Sequence, residues 1–563
     1  MTSICEGSRR EPSQVSATAI STSERPRDGF FRSAGIVSAA VAVSRVTGLV
    51  RESVLGWLFG ASATFDAYAV GYRVANMARD LFAEGALSSA FVPTFTRYLS
   101  TKTRDETREL SNITGTLMIV IVGTLCALGM LFSSSLVELF APAFHAVPGK
   151  FELATRMVRT MFPFLLLVAL AAQAQGILFA CRQFGVPSFS STFFNAGSVV
   201  FGLALGYWLG PHLGITPVQG MAYGILFGGA AQLAFQLPSV WRAGFPWKPQ
   251  WELHHEGVRQ ILRLMGPAIL GGAALQINLL VNTNLAAGLR DSAGHVMNGP
   301  VSWLSYAYRF LQLPMGLFGV SIASATLPLI SKSAAERDFA AFRATLSRSI
   351  VTGLLLTIPS SVGLLLLGES MIGIVYQHGH FLAFDTRQTA IALSFYAPGL
   401  AGYAAVKLLA PAYYALGDAR TPMLISMASV LVNALAAEIL VHSFDAGFGY
   451  AGLALSVSLV AIINAILLAA FIRSRIGGLN SRAILVSLCK ILLAAGIMAA
   501  AVYALTVASH TYLGPRIRLA RIADVALGVP AGAFVYYATA SALGIAEIAE
   551  TREAVLRKLG KIR

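Results

Sequence analysis

Charge is what this sequence has least of. Only 12% of its 563 residues are Asp, Glu, Lys or Arg, about half of the roughly 25% that a soluble domain carries. A water-soluble globular protein of this size is therefore excluded. Acids are scarcer still, 27 against 42 Lys and Arg, which leaves a formal net charge of +15. The four cysteines, Cys5, Cys126, Cys181 and Cys489, have no paired spacing, so neither a disulfide framework nor a cysteine metal site is implied. Residues 1–32 are Ser- and Arg-rich and lack the apolar core of a signal peptide. They are expected to be a disordered cytoplasmic tail. No Gly-rich phosphate loop with its lysine is present, which argues against direct use of ATP. The positive surplus is not interleaved with exposed aromatics as single-strand binding needs, so nucleic acid is not an expected partner. His378-Gly379-His380 is a lone H-x-H in a loop, and it reads as surface histidine rather than a metal site.

Apolar residues are what the sequence has in excess, at 56% with a mean hydropathy of +0.67. Runs of about 20 apolar residues, the length that crosses a bilayer, begin near Ile36, Phe65, Leu110, Leu153, Phe189, Pro217, Ile261, Val301, Phe342, Thr389, Pro422, Tyr450, Ile484 and Ala520. The reading is an all-α polytopic membrane protein of about fourteen transmembrane helices. Alternate loops are rich in Lys and Arg, such as Arg97–Arg108, Arg242–Arg263 and Lys332–Arg348. The intervening loops around Ser62, His212 and His442 have none, and those near Arg290 and Arg387 have one each. By the positive-inside bias both termini are cytoplasmic. Only Lys150 and Arg518 run against it.

A repeat is also legible. Pro93 and Pro328, Pro163 and Pro398, and Pro187 and Pro422 are each 235 residues apart. Tyr72-Arg73 is echoed one residue out of step by Tyr308-Arg309, and Phe179-Ala180 is matched in step by Tyr414-Ala415. An even number of helices per repeat gives two halves of the same orientation, related by an axis along the membrane normal, with a site between them. The expected organisation is residues 1–32 as tail, 33–245 as a six-helix N-lobe, and 246–475 as a six-helix C-lobe. Residues 476–547 would form helices thirteen and fourteen, and 548–563 a basic cytoplasmic tail.

Arg45, Arg51, Arg73, Arg79, Arg309 and Lys407 lie inside these apolar stretches. Each charge at the bilayer centre costs about 2.5–3.5 kcal/mol unless solvated, so all six are expected to face a wet interior. The nearby acids Glu52, Asp80 and Glu84 are too few to neutralise them, and a basic cavity calls for an anion. Arginine suits phosphate, because its planar fork binds two oxygens and stays charged. Arg45 and Glu52, seven apart, share a helix face. Arg73, Asn76, Asp80 and Glu84 follow the spacing of one polar stripe, in which Arg73 pairs with Asp80 or Glu84, while Arg79 is offset from it. Such pairs could instead only fix helix packing. Arg309 has no acid in reach on its own helix. Lys407 faces the cavity or snorkels to an interface. Asp66 either caps its own helix or makes a gate contact with a basic group.

The stretches SRVTGLVRE (Ser44–Glu52), FDAY (Phe65–Tyr68), FAEGALSSAFVPTF (Phe82–Phe95), GPAIL (Gly266–Leu270), GVSIASATLPLISKS (Gly319–Ser333) and KLLAPAYYALGDARTP (Lys407–Pro422) resemble the MurJ (MviN) family of the MOP transporter superfamily. The resemblance covers roughly residues 33–545. It implies two six-helix lobes, with two extra C-terminal helices forming a groove for a lipid tail. The activity it implies is alternating-access flipping of lipid II, the undecaprenyl-diphosphate-linked peptidoglycan precursor, to the outer leaflet of the bacterial cytoplasmic (inner) membrane. By motif position it marks Arg45, Arg51, Arg79 and Arg309 as substrate-binding, with Asp66 and Glu84 as functional acids. Glu52, Arg73, Asn76, Asp80 and Lys407 are expected to gate or support. Glu52 stands where many relatives have Asp, and Tyr308 and Gln312 replace common acids, so this cavity is expected to be more positive than usual.

On this reading the protein is a transporter and not an enzyme, with no resident cofactor or metal. The membrane potential or a cation would couple transport. Its partners would be lipid II, membrane lipids and cell-wall synthesis proteins, and one chain holding both lobes is expected to work as a monomer. The alternative is a flippase for another polyprenyl-diphosphate-linked glycan. A cation-drug exporter would want an acidic cavity. A lipid-modifying enzyme would need a base that these loop histidines, lacking a carboxylate partner, do not offer. A scaffold for cell-wall enzymes would tolerate loss of the arginines.

Overall fold

The computed structural model describes residues 25–548 except 253, 446, 515, 516 and 546. Fourteen helical rods run through it, one at each expected start. The first half contains α1 (Arg25–Phe59), α2 (Ala63–Ala78, continued through a π-helical stretch Arg79–Leu87 into Ser88–Thr101), α3 (Arg104–Leu131), α4 (Lys150–Met161 and Phe164–Ala180), α5 (Gly185–Leu203, ending in a π-turn Ala204–Trp208) and α6 (Pro217–Arg242). The second contains α7 (Glu256–Ala287), α8 (Pro300–Pro314, a π-turn Met315–Gly319 and Val320–Ala335), α9 (Phe339–Tyr376), α10 (Ala383–Tyr396 and Gly399–Ala415), α11 (Arg420–Ser443) and α12 (Gly449–Arg475). The rods α13 (Ser481–Leu513) and α14 (Ile517–Ala542) follow. Helix α1 begins inside the stretch expected to be a tail; residues 1–24 and 549–563 lie outside the described residues.

Among the described residues nine helices are long and apolar enough to cross a membrane, and ten if the bent pair in α10 is one span. The protein is an all-helical, multi-pass membrane protein. Rods such as α2 miss that criterion because they carry too many charged residues. The outer faces of α13 and α14 are apolar and exposed, as at Leu492, Leu493 and Phe534, which suits contact with lipid tails rather than water.

The 235-residue repeat recurs in the helix boundaries. Helices α3 and α9 start at Arg104 and Phe339, the second segments of α4 and α10 at Phe164 and Gly399, and α5 and α11 at Gly185 and Arg420. Pro163 and Pro398 sit at the breaks in α4 and α10; a proline lacks the N–H that would continue the helix, and α10 bends there by 47°. The turns after these rods both use left-handed backbone, at Arg182 (φ 59°) and Gly417 (φ 75°).

Packing gathers α1 against α5, α2 and α6 against α4, and α5 tightly against α6. A Cβ on Gly220 would lie 2.3 Å from the Gly206 backbone, the close approach that small residues give membrane helices. In the second half α12 packs on α10 and α11, and the α13–α14 pair packs on α9. The halves meet where α2 touches α8 and α1 touches α9, while α7 packs on α2 and α11 alike.

Candidate functional site

One face of α8 organises the contact between the halves. Ser302, Ser305 and Arg309 fall at i, i+3 and i+7, so they align along the rod. Each is bonded to a polar residue of the first half, and the three rungs descend roughly 10 Å at 1.5 Å per residue.

The first rung closes the end whose loops are poor in Lys and Arg. Asp66 accepts from the backbone amides of Gly299 (2.9 Å) and Ser302 (3.1 Å) and from the Ser302 hydroxyl. It thereby caps the N-terminus of α8, where the unpaired amides and the helix dipole favour an anion. Lys150 donates to Asp66 at 2.9 Å and to Asn298 at 2.9 Å, and both charged side chains are only 1% exposed. Asp66 does not cap its own helix; Ser62 does, accepting from the Phe65 amide. Of the two expectations it is the contact with a basic group that forms, and that group is Lys150. Around it Phe65 stacks on Tyr306 at 4.8 Å, and His380 donates its amide to the Trp57 carbonyl at 3.0 Å.

Arg73 makes the second rung. It donates to Thr283 of α7 at 2.8 Å and to Ser305 at 2.6 Å. The expected pairing of Arg73 with Asp80 is thus corrected. Thr283 and Ser305 of the second half stand within reach of the Arg73 guanidinium and take its donors, while a π-helix begins at Arg79. Asn76 does donate to Asp80 (3.2 Å), and Arg79 binds Asp80 at 2.9 Å. The Glu84 side chain lies outside those described.

The third rung is a triad. One oxygen of Glu52 accepts from Arg51 and from Arg309, each at 2.8 Å, and Arg309 also donates to Gln312 at 3.3 Å. The expectation that Glu52 answers Arg45 is corrected: Glu52 turns to its neighbour and across to α8. Arg51 is packed between the rings of Tyr72 and Phe194, 5.3 Å from each, and its side chain is 4% exposed against 29% for Arg309. Cation–π contact and the carboxylate compensate its burial. Arg309 keeps an open edge.

Arg45 lies lower, exposed beside the π-turn of α8, where a Cβ on Gly316 would come within 3.4 Å of its guanidinium. Neither Arg45 nor Lys407, exposed on α10, has a hydrogen-bond or ion-pair partner among the described residues. Among the described residues Glu52 is shared by Arg51 and Arg309, and Asp80 binds Arg79. Among the described residues no three His, Cys, Asp or Glu side chains converge as a metal site would need. Sequence reasoning missed Lys150, Thr283, Ser302 and Ser305. Only Lys150 left a signal, as a cation on the wrong side of the charge bias.

Two helical halves joined by a polar seam, with cations open below it, define a membrane transporter. The fold is shared with a solved multidrug resistance MATE family transporter of the MOP superfamily, inward-facing, which aligns at TM-score 0.61 with 16% identity over 78% of this chain and 94% of that one. A family model described as lipid II flippase MurJ matches residues 56–523, and the chain belongs to the MurJ family. It is 35% identical to a probable lipid II flippase MurJ of Vibrio cholerae over 78% of this chain and 82% of that protein. It is 32% identical to the lipid II flippase MurJ of Burkholderia cenocepacia over 79% and 84%. A solved lipid II flippase MurJ in an inward closed conformation superposes at TM-score 0.71, with 25% identity over 90% of this chain and 98% of that one.

Proposed function

We propose that this chain flips lipid II from the inner to the outer leaflet of the bacterial cytoplasmic membrane, moving it without chemical change. The observation that carries the reading is the arginine cluster below the seam, with Arg309 and Arg45 offering guanidinium edges and Arg79 held beside Asp80, inside a helical membrane domain. A diphosphate entering from the Lys/Arg-rich, cytoplasmic end meets Arg45 and Arg79 first, then Arg309. Its oxygens compete with Glu52 for the Arg309 fork and loosen the third rung. Outward opening then needs the Arg73 and Asp66 rungs to part. Asp66 and Lys150 close the outer mouth on this reading, and both termini are cytoplasmic. The polyprenyl tail rides in lipid or along α13 and α14.

The membrane potential supplies the drive. Moving two negative charges outward across 100 mV gains about 4.6 kcal/mol, and the emptied cationic site is drawn back inward.

The test is reconstitution of the full chain in vesicles with fluorescent lipid II, scored by an impermeant quencher on one side. Flipping above protein-free vesicles is expected. Equal flipping of a polyprenyl-diphosphate glycan lacking the peptide would replace lipid II with the broader substrate class, and no flipping of either would overturn the reading.

A further inference from the structure

The outer ends of α13 and α14 are fastened to the C-lobe by polar groups that no step of transport described above uses. Asp524 of α14 is 2% exposed. Its carboxylate accepts from Ser370 of α9 at 2.6 Å, from Ser509 of α13, and stands 3.0 Å from His510 Nε2. Three rods are tied at this one carboxylate. An acid so placed in a membrane helix is costly without such donors, and removing them would leave it unpaired. Asp524 thereby fixes the rotation of α14 at its outer end.

Arg521, three residues before Asp524, is presented by that rotation to α9. It donates to Gln377 Oε1 at 2.5 Å, and the same oxygen accepts from the Thr386 hydroxyl of α10 at 2.9 Å. Gly373 leaves room for it, since a Cβ there would lie 2.6 Å from Arg521 Nη1. Gln377 begins the loop that continues through Gly379 and His380. That loop closes on the N-lobe: His380 bonds the Trp57 carbonyl, a Cβ on Gly379 would strike Trp57, and a Cβ on Gly60 would lie 2.2 Å from the His380 carbonyl. One short loop therefore touches α14 at its root and α1 at its tip.

We propose that Arg521 is a positioning residue of the outer gate: through Gln377 it holds the 377–382 loop against Trp57 and Gly60, so that α13 and α14 bias the outer mouth toward closure. The proposal rests on the assignment of this end as the outer mouth. It means that whatever displaces the α13–α14 pair, a lipid chain seated beside it included, acts on the gate through this contact.

The experiment uses full-length protein in right-side-out vesicles, with the four native cysteines replaced by Ala and a single Ala61→Cys beside the loop. The rate of modification by an impermeant maleimide reads gate opening. A hydrogen bond from a charged donor contributes about 1.5–3 kcal/mol, so Arg521→Gln and Gln377→Ala are each expected to raise the rate by roughly tenfold or more. The exchange Arg521→Gln with Gln377→Arg is expected to restore slow labelling, which a general loosening of α14 would not do. Unchanged labelling in both single variants, or a double variant as fast as the singles, would overturn the proposal. Lipid II flipping is measured in the same vesicles with the parent protein. Its absence would count against the substrate assignment alone, since the labelling reads the gate without substrate.

Discussion

Asp66→Asn isolates the outer rung. The carboxylate takes three hydrogen bonds from the start of α8, two from amides and one from the Ser302 hydroxyl, while Lys150 balances its charge. Asparagine keeps one acceptor oxygen and turns an amide N–H toward the remaining donors. Two charge-assisted bonds are lost, and at about 1.5 kcal/mol each the minimum cost is about 3 kcal/mol. Under the proposed alternating access that cost falls on the closed form, in which α8 is held at this carboxylate. The closed-to-open ratio is then expected to fall roughly hundredfold. The probe is Val301→Cys, a position 1% exposed at the sealed mouth, labelled from outside in intact cells without other cysteines. Labelling faster by about two orders of magnitude is expected, with protein level unchanged. A change below twofold in a correctly inserted Asp66→Asn protein would refute the idea that this rung holds the mouth shut.

Other expectations follow from the same geometry. Arg73→Met removes both inter-half bonds of the second rung, to Thr283 and Ser305; it is expected to open the mouth by a further roughly tenfold, read by the same labelling. Glu52→Gln leaves Arg51 and Arg309 sharing no counter-charge; diphosphate affinity, measured by titration with a short-chain prenyl diphosphate, is expected to rise while the flipping rate falls. Gly220→Val would drive a side chain into Gly206 and is expected to lower the yield of folded protein, seen by size-exclusion chromatography. Asp418, in the turn between α10 and α11, has its carboxyl held below the usual range by the Thr421 hydroxyl, then by the amides of Thr421 and Arg420 and by Arg475. A depressed carboxyl pKa gives stability that is present above about pH 4 and lost as pH falls through the folded value. The difference in melting temperature between wild type and Asp418→Asn should therefore be present at pH 7 and shrink below pH 4.

The rods and the repeat were legible in the sequence because each leaves a one-dimensional trace. Apolar runs set the spans, prolines 235 apart mark the repeat, and charges within apolar runs have few places to go. The partners were not legible. Glu52 meets Arg309 across 257 residues and Arg73 meets Ser305 across 232, separations at which spacing carries no information. The pairing of Arg73 with Asp80 was overturned by the same distant partners, Thr283 and Ser305, while the Asn76–Asp80 step of the stripe is present; the π-helix from Arg79 has no composition that announces it. Lys150 stood out only as an exception to charge bias, and its burial against Asp66 accounts for that exception.

The central claim is that open arginines beneath the seam carry the lipid's diphosphate, and Arg309 joins the seam to that site. The most direct measurement is lipid II exposed at the outer leaflet in cells that depend on this protein, comparing wild type with Arg309→Ala at equal membrane levels. Exposure is expected to collapse while the variant remains folded and inserted. Exposure equal to wild type would contradict the account and leave Arg309 as a packing residue.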